Sequence, residues 1–127
     1  MTESMATSGL THVRWSEVAA EPLTDAIRRR YINTGRMTIA RFELSRGGVV
    51  PRHSHEHEQV TTVLSGALKF VTPGAEVTVR QSESITIAPW VEHRVDVLED
   101  TVVIDVFCPV RQDWVTKADD YFKRAAE

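Results

Sequence analysis

The sequence predicts an all-β fold, a sandwich or barrel built from short strands. Segments in which apolar and polar residues alternate follow one another from about residue 36 to residue 108. Glycine, proline and other turn-forming residues separate these segments at intervals of roughly 8–12 residues, a spacing typical of all-β sandwiches and barrels. The sequence shows no internal repeat and no second-domain boundary. We therefore predict one domain over residues 11–127, preceded by a disordered N-terminal segment, residues 1–10.

Each predicted strand combines alternation with β-branched or aromatic residues, which favour a pleated, half-buried surface. Ser65-Gly66 signals a tight turn after one of them. The predicted strands cover residues 37–44, 59–64, 67–71, 76–80, 84–89, 93–98 and 102–109.

The two ends of the domain give weaker patterns. "VRWSEV" (13–18) is interpreted as a further strand that packs Trp15. "LTDAIRRRYI" (23–32) fits either a helix or a strand, and the turn signal "NTG" that follows it favours a strand. "DDYFKRAAE" (119–127) is rich in good helix formers and predicts a short C-terminal helix.

Size and composition exclude several classes of protein. A chain of 127 residues can bury a continuous core without disulfides, and Cys108 is the only cysteine, so an intrachain disulfide is impossible. The net charge of −3 gives no electrostatic reason to expect a nucleic-acid or anionic-membrane partner. No apolar run has the length of a membrane span, and the N-terminal residues lack a signal peptide's apolar stretch. We predict a cytoplasmic protein.

The segment "PRHSHEHEQV" (51–60) places His53, His55, His57 and Gln59 at every second position. This period puts all four side chains on one face of an extended strand. Imidazoles crowded on one face make a poor apolar core, whereas they are good ligands for a metal ion. An isolated histidine in a strand is usually a surface or satisfied core residue, but three at this spacing favour metal binding.

A single ion cannot be held by all four residues of a straight strand. Residues 53 and 59 would then be about 20 Å apart, so a shared site requires the chain to bend. Pro51 and the pair Gly47-Gly48 make a bend plausible nearby. A further ligand has to come from elsewhere, and His93 is a better candidate than His12, which lies close to the N-terminal segment.

The spacing of Gly47, His53, His55, Gln59 and Gly66 resembles the first motif of the cupin family. "IAPWVEHRV" (87–95) resembles the second motif. Glutamine stands where most cupins have glutamate, and Trp90 stands where glycine is common. The resemblance covers residues about 36–114 and implies a double-stranded β-helix (jelly-roll) barrel with a metal ion near its mouth.

By that resemblance, the metal ligands are His53, His55, Gln59 and His93, and small cupins of this kind are expected to form homodimers. His57 then supports the ligands or lies at the rim, and Trp90 is either a pocket wall or a dimer contact. Three neutral imidazoles and a neutral amide oxygen leave the ion's charge uncompensated, which makes it a stronger Lewis acid. The candidate ions are nickel, zinc, iron, cobalt, manganese and copper.

The strand at residues 102–109 carries a second set of candidate site residues. Asp105 shares a face with Val103 and Phe107, and an aspartate inside an apolar strand is costly unless it faces water or a partner. One interpretation is a structural Asp105–Arg111 ion pair. The other is a carboxylate that points into the barrel, with Phe107 shaping the cavity and Arg111 at the rim.

The D-x-F-x-x-x-R arrangement of Asp105, Phe107 and Arg111, together with a glutamine ligand, resembles the pectin-degradation cupins of the KdgF type. That resemblance implies an enzyme that opens cyclic unsaturated uronates to linear 5-keto-4-deoxyuronate. Asp105 would act as general acid or base, Phe107 would hold the enol face, and Arg111 would bind the carboxylate of this small substrate. The alternatives are another metal-cupin activity (dioxygenase, isomerase or lyase) and a non-catalytic ligand-binding cupin.

Overall fold

A computed structural model of the protein describes residues 9–117 and 121–122. Within that part of the chain, ten strands form two antiparallel sheets, and a short α-helix follows the last strand. The elements are β1 (Glu21–Thr24), β2 (Ile27–Asn33), β3 (Thr38–Leu44), β4 (Val49–His53), β5 (Glu58–Ser65), β6 (Ala67–Thr72), β7 (Ala75–Arg80), β8 (Ser84–Ile87), β9 (His93–Val97), β10 (Thr101–Cys108) and α1 (Gln112–Val115).

The two sheets face each other as a jelly roll, which confirms the predicted fold class. The six-stranded sheet has the order β1-β2-β3-β10-β5-β8, and the four-stranded sheet has the order β4-β9-β6-β7. Strict alternation in β3 and β10 turns every second side chain into the space between the sheets. Large apolar side chains fill that space, among them Phe42, Val63, Leu68, Phe70, Val95 and Val103.

The seven predicted strands all coincide with strands of the structure, and residues 23–32 form strands rather than a helix. That segment is the end of β1 and most of β2, joined by a turn in which the Ala26 N–H donates to Thr24 Oγ1 over 3.1 Å. The turn "Ser65-Gly66" is also confirmed, since it joins β5 to β6 with Gly66 at a φ of 94°.

The strand predicted at residues 13–18 is wrong, because Trp15–Glu17 form a short 3-10 helix. The Arg30 guanidinium donates to the carbonyl oxygens of Trp15 and Val18, over 2.9 and 3.0 Å. Carbonyls three residues apart can converge on one cation only if the backbone turns, since successive carbonyls of a strand point in opposite directions.

Part of the predicted C-terminal helix lies outside the described residues. Tyr121 and Phe122 are helical, and the rest of 119–127 is not described. The helices in the described part of the chain are all too short or too polar to cross a membrane. The predicted disorder of residues 1–10 stays a prediction.

Strand pairing brings the predicted site residues to one end of the barrel. His53, the last residue of β4, lies opposite His93, the first residue of β9. On the facing sheet, β5 pairs with β10 so that Gln59 lies opposite Phe107 and Thr61 lies opposite Asp105.

Candidate metal centre and active site

The histidine run does not lie on one strand, because the chain bends between β4 and β5. His53 ends a strand of the four-stranded sheet, and Gln59 begins a strand of the six-stranded sheet. The backbone of residues 54–57 crosses from one sheet to the other, and the Trp90 N–H donates to the His55 carbonyl oxygen over 2.8 Å. The single-strand interpretation is therefore wrong, and the bend that a shared metal site requires is present.

Three imidazoles converge at this bend. His53, His55 and His93 each offer one ring nitrogen, and these three atoms lie within 4.8 Å of one another. The ring centroids of His53 and His93 are 4.3 Å apart, and those of His55 and His93 are 5.2 Å apart. His12, the other candidate, is exposed in the N-terminal segment. The His cluster, as we call His53, His55 and His93, can hold a metal ion.

Backbone carbonyls fix the tautomer of every ring in the His cluster. The Nδ1–H of His53 donates to the Pro51 carbonyl over 2.7 Å, and that of His93 donates to the Val91 carbonyl over 2.8 Å. The Nδ1–H of His55 donates to the His57 carbonyl over 3.0 Å. A carbonyl only accepts, so the proton sits on Nδ1 and the Nε2 lone pair is left for a metal.

The Gln59 side chain adds an oxygen to this cluster. Gln59 Oε1 lies 3.1 Å from His55 Nε2, and both atoms are acceptors once the His55 proton is on Nδ1. Two buried acceptors that face each other repel unless a cation lies against both of them. A divalent ion bound to these two acceptors and to the Nε2 atoms of His53 and His93 would remove the repulsion.

Burial keeps the imidazoles of the His cluster neutral. Desolvation, with the neighbouring His93, lowers the pKa of His53 to about 3. Desolvation, with the charge of Arg111, lowers the pKa of His55 to about 4. Burial also lowers the pKa of His93. A metal must displace protons from its ligands, so rings that are already neutral near pH 7 are ready to bind.

His57 lies outside the His cluster. Its Nε2–H donates to the Val110 carbonyl over 3.1 Å, and its ring is buried rather than exposed at a rim. It therefore joins the bend of the histidine run to the loop that precedes Arg111.

Asp105 points into the barrel, as the alternation of β10 predicts. Its side chain is 7% exposed, and Oδ1 has no hydrogen-bond partner within the described chain. Burial raises the pKa of Asp105 to about 7, against the smaller opposing effects of a hydrogen bond with Thr61 and the charge of Arg111. The carboxyl can therefore both hold and release a proton near neutral pH.

Arg111 is not at the rim, and its ion-pair partner is not Asp105. The side chain is 1% exposed, and Nε and Nη2 donate to the two carboxylate oxygens of Asp113 over 2.9 and 2.7 Å. The guanidinium lies 4.7 Å from the centroid of Phe107 and 4.4 Å from that of Trp114. Sequence reasoning missed the role of Asp113, for which the Arg-x-Asp spacing was the available signal.

An interior cavity joins these groups. It has a volume of about 50 Å³ and is lined by site residues from both sheets and by Tyr121 and Phe122. The polar residues of its wall are His53, Gln59, Thr61, His93, Asp105, Arg111 and Tyr121, and the remaining lining is apolar. The Tyr121 ring stacks on His53 with a centroid distance of 4.2 Å and an interplanar angle of 4°. Nothing in the sequence indicated this contact.

Trp90 is 67% exposed and does not line this cavity. Its φ of 66° is in the left-handed region, a backbone conformation that glycine adopts without strain. The pocket-wall interpretation of Trp90 is therefore wrong for this cavity, whereas a role in a dimer contact stays a prediction.

The fold and this site define a class of protein. Residues 40–107 match the cupin domain family, and the chain belongs to that family. A comparison with curated protein sequences gives no significant match.

Among solved structures, the chain is similar to KdgF from a Halomonas species. The TM-score is 0.76 and the identity is 25%, over 82% of this chain and 99% of that one. The polyketide cyclase RemF from Streptomyces resistomycificus has a TM-score of 0.66 and 27% identity, over 79% of each chain. An RmlC-like cupin from Shewanella frigidimarina has a TM-score of 0.76 at 20% identity, over 83% of this chain and 96% of that one, and supports the fold alone. The protein is a small cupin that resembles KdgF.

Proposed function

We propose that the protein is a metal-dependent enzyme that opens cyclic unsaturated uronates to linear 5-keto-4-deoxyuronate. The observation that carries the proposal is the buried Asp105 carboxyl, which lines the same cavity as His53, His93 and Gln59. A structural metal site does not require such a carboxyl beside it. Similarity to KdgF supports the choice of substrate.

The reaction is an isomerisation and needs no oxidant. The anomeric hydroxyl loses its proton, the bond between C1 and the ring oxygen breaks, and C1 becomes an aldehyde. The ring oxygen becomes the enol oxygen on C5, and a proton added at C4 converts this enol to the ketone. One group that accepts a proton and returns it nearby is therefore sufficient.

Asp105 is suited to that task, because its pKa of about 7 lets it exchange a proton near neutral pH. Three imidazoles and the Gln59 oxygen would hold the ion, which is nickel, zinc, iron, cobalt, manganese or copper. When bound, such an ion supplies a Lewis acid that polarises oxygens of the sugar. Phe107 presents an apolar surface to the flat enol.

Arg111 does not have a free guanidinium with which to bind the substrate carboxylate through two hydrogen bonds. Asp113 already engages two of its nitrogens, so we propose that Arg111 attracts the substrate carboxylate mainly through its buried positive charge. Charge in such a poorly hydrated place acts over a longer distance than it does at a surface.

The proposal also requires movement of Tyr121 and Phe122. A cavity of about 50 Å³ has room for one or two waters, whereas small-molecule pockets usually enclose roughly 300 Å³ or more. Both aromatic residues line the cavity, so we propose that their displacement enlarges it. Substitution of Tyr121 by alanine should accordingly lower KM.

The test is to supply unsaturated uronate monomers to metal-loaded protein and to follow the loss of their ultraviolet absorbance against the spontaneous rate. Oxygen uptake is recorded in parallel, and the product is identified by NMR. We expect acceleration without oxygen uptake, and Asp105→Asn should lower turnover by roughly two to four powers of ten with little change in metal content. Asp96→Asn is the matched control. Asp96 lies on the four-stranded sheet, where its carboxylate accepts a hydrogen bond from Arg94, and this variant should retain activity.

Failure of the loaded protein to exceed the spontaneous rate would refute the substrate assignment, and oxygen uptake would favour a dioxygenase.

A second candidate function is supported by the largely apolar wall of the cavity and by the similarity to the polyketide cyclase RemF. This candidate is enolisation chemistry on a less polar carbonyl compound, and the same Asp105→Asn comparison applies to it.

A further inference from the structure

We propose that Thr61 is a positioning residue that orients the Gln59 amide toward the metal and joins it to Asp105. This inference rests on the proposed function, since it assigns Gln59 to the metal and Asp105 to proton transfer. Thr61 lies on β5 with its side chain turned into the barrel, where it is 1% exposed.

The hydroxyl of Thr61 lies between two groups that need a partner. Gln59 Nε2 donates to Thr61 Oγ1 over 2.9 Å, while the Oε1 of the same amide faces His55 Nε2 at 3.1 Å. On its other side, Thr61 lies opposite Asp105 on β10, close enough for its hydroxyl to lower the pKa of that carboxyl.

The direction of these hydrogen bonds follows from the chemistry of the groups. A hydroxyl carries one proton, so once it donates to the Asp105 carboxylate it can only accept from Gln59. The amide end that faces Thr61 is then the NH₂, and the end that faces the His cluster is the oxygen. An amide nitrogen carrying two protons has no lone pair to offer a metal, so this orientation decides whether Gln59 can be a ligand.

A valine at position 61 keeps the shape of threonine and removes the hydroxyl. The amide of Gln59 then loses the partner that selects its orientation, and Asp105 loses its hydrogen-bond donor. Residues that orient metal ligands typically contribute about 10- to 100-fold to metal affinity. We expect Thr61→Val to weaken binding by at least about 10-fold, and we expect Thr61→Ser, which keeps the hydroxyl, to restore most of it.

The experiment measures Co²⁺ and uses no sugar. Dissociation constants are obtained by competition with a chromophoric chelator, and the visible absorption of bound Co²⁺ reports its ligands. Thr61→Val should show the weaker binding and an altered spectrum. Thr61→Ser should resemble the wild type in both, and both metal-free variants should remain folded in thermal melts.

Thr101→Val is the matched control. Thr101 is also a buried strand threonine, but its hydroxyl bonds the carbonyls of Ala67 and Glu99 at the opposite end of β10. It should lose stability and keep the wild-type affinity for Co²⁺.

Wild-type affinity and spectrum in Thr61→Val would overturn the proposal, as would equal losses in Thr61→Val and Thr61→Ser, which indicate packing alone. Wild-type protein that binds no Co²⁺ would refute the metal site itself. If Co²⁺ binding follows the expected pattern and no uronate is converted, the positioning role of Thr61 stands and the assigned reaction fails.

Discussion

At the scale of single residues, His55 is the predicted metal ligand whose loss should be most informative. His55 contacts both His93 and the Gln59 oxygen, so its replacement by alanine removes the ring nitrogen at the centre of the site. His55→Ala should reduce bound metal from about one ion per chain to none by elemental analysis. Added Zn²⁺ or Ni²⁺ should raise the melting temperature of the wild type but not of this variant. The reason is that an ion stabilises the folded state only when the folded state binds it.

His57→Ala is the control for that measurement, since it removes a neighbouring imidazole that lies outside the His cluster. It should keep stoichiometric metal. Loss of metal in His57→Ala with retention in His55→Ala would reverse the ligand assignment.

The Gln59 side chain offers a test of charge rather than shape. Gln59→Glu places an anionic oxygen where the amide oxygen lies, so metal binding should stay equal or become tighter. The added charge also lowers the Lewis acidity of the ion, and turnover should fall. Steady-state kinetics on protein with measured metal content decide the point. Undiminished turnover at equal occupancy would mean that a neutral ligand set is not needed.

Arg111→Lys tests how much the Arg111 guanidinium contributes to the stability of the fold. A lysine cannot keep both hydrogen bonds to Asp113 or the flat packing between Phe107 and Trp114, so we expect a loss of about 2 kcal/mol or more. Arg94→Lys is the control, because Arg94 makes the same two-bond contact with Asp96 near the surface. Its cost should be much smaller, because solvent screens an exposed ion pair. Equal small changes in the two melting temperatures would contradict a structural role for Arg111.

At the scale of the secondary-structure elements, the strands were predictable because their signal is local. The alternation of apolar and polar residues along β3 and β10 can be read from consecutive residues. It also predicts correctly that Asp105 lies on the inward face. The sequence predicts a bend only as a requirement of a shared site, and Pro51 with Gly47-Gly48 suggests it slightly before residues 54–57, where it lies. Its location depends on long-range bonds, such as the one from the Trp90 N–H to His55, that no local pattern encodes.

Contacts between distant parts of the chain were not predictable in the same way. Tyr121 stacks on His53 across 68 positions of sequence, and its residue type is equally compatible with an exposed helix. The sequence does not distinguish Thr61 from other strand residues, because β-branched residues are ordinary in strands. Its importance comes from what the pairing of β5 with β10 places opposite it.

The turn between β5 and β6 provides a prediction for these elements. A Cβ at Gly66 would overlap Thr101 and the Asp100 carbonyl, and the φ of 94° disfavours any side chain. Gly66→Ala should cost about 3 kcal/mol or more in urea denaturation. Gly47→Ala shares the unusual backbone, with a φ of 88°, but has open space around it, and should cost about 1 kcal/mol. Equal costs would show that the contact with β10 relaxes freely.

At the scale of the whole molecule, stability of the metal-free protein should depend on pH through two opposing groups. His53 and His55 have lowered pKa values, so their stabilising contribution is complete above about 6.5 and is lost as the pH falls toward 4. Asp105 has a raised pKa, so the folded state keeps a proton that the unfolded chain releases, and stability falls as the pH rises from about 4 to 7.

Asp105→Asn removes only the second effect. Its melting temperature should therefore fall more steeply than that of the wild type between pH 7 and pH 5, by up to roughly 5–10 °C. Thermal melts in chelator across this range provide the comparison. Parallel curves for the two proteins would mean that Asp105 does not hold an extra proton in the fold.

The burial of Trp114 gives the protein an optical reporter of its own site. Trp114 is fully buried, lines the cavity, and packs against Phe107 with ring centroids 5.1 Å apart, whereas Trp90 is exposed and Trp15 is half-buried. Iodide in solution reaches an exposed indole and quenches its fluorescence, but it does not reach Trp114. The emission that survives iodide therefore comes mainly from the cavity wall, where a paramagnetic ion such as Cu²⁺ or Co²⁺ would extinguish it. Metal loading can thus be followed in real time, without a label and without knowledge of the substrate.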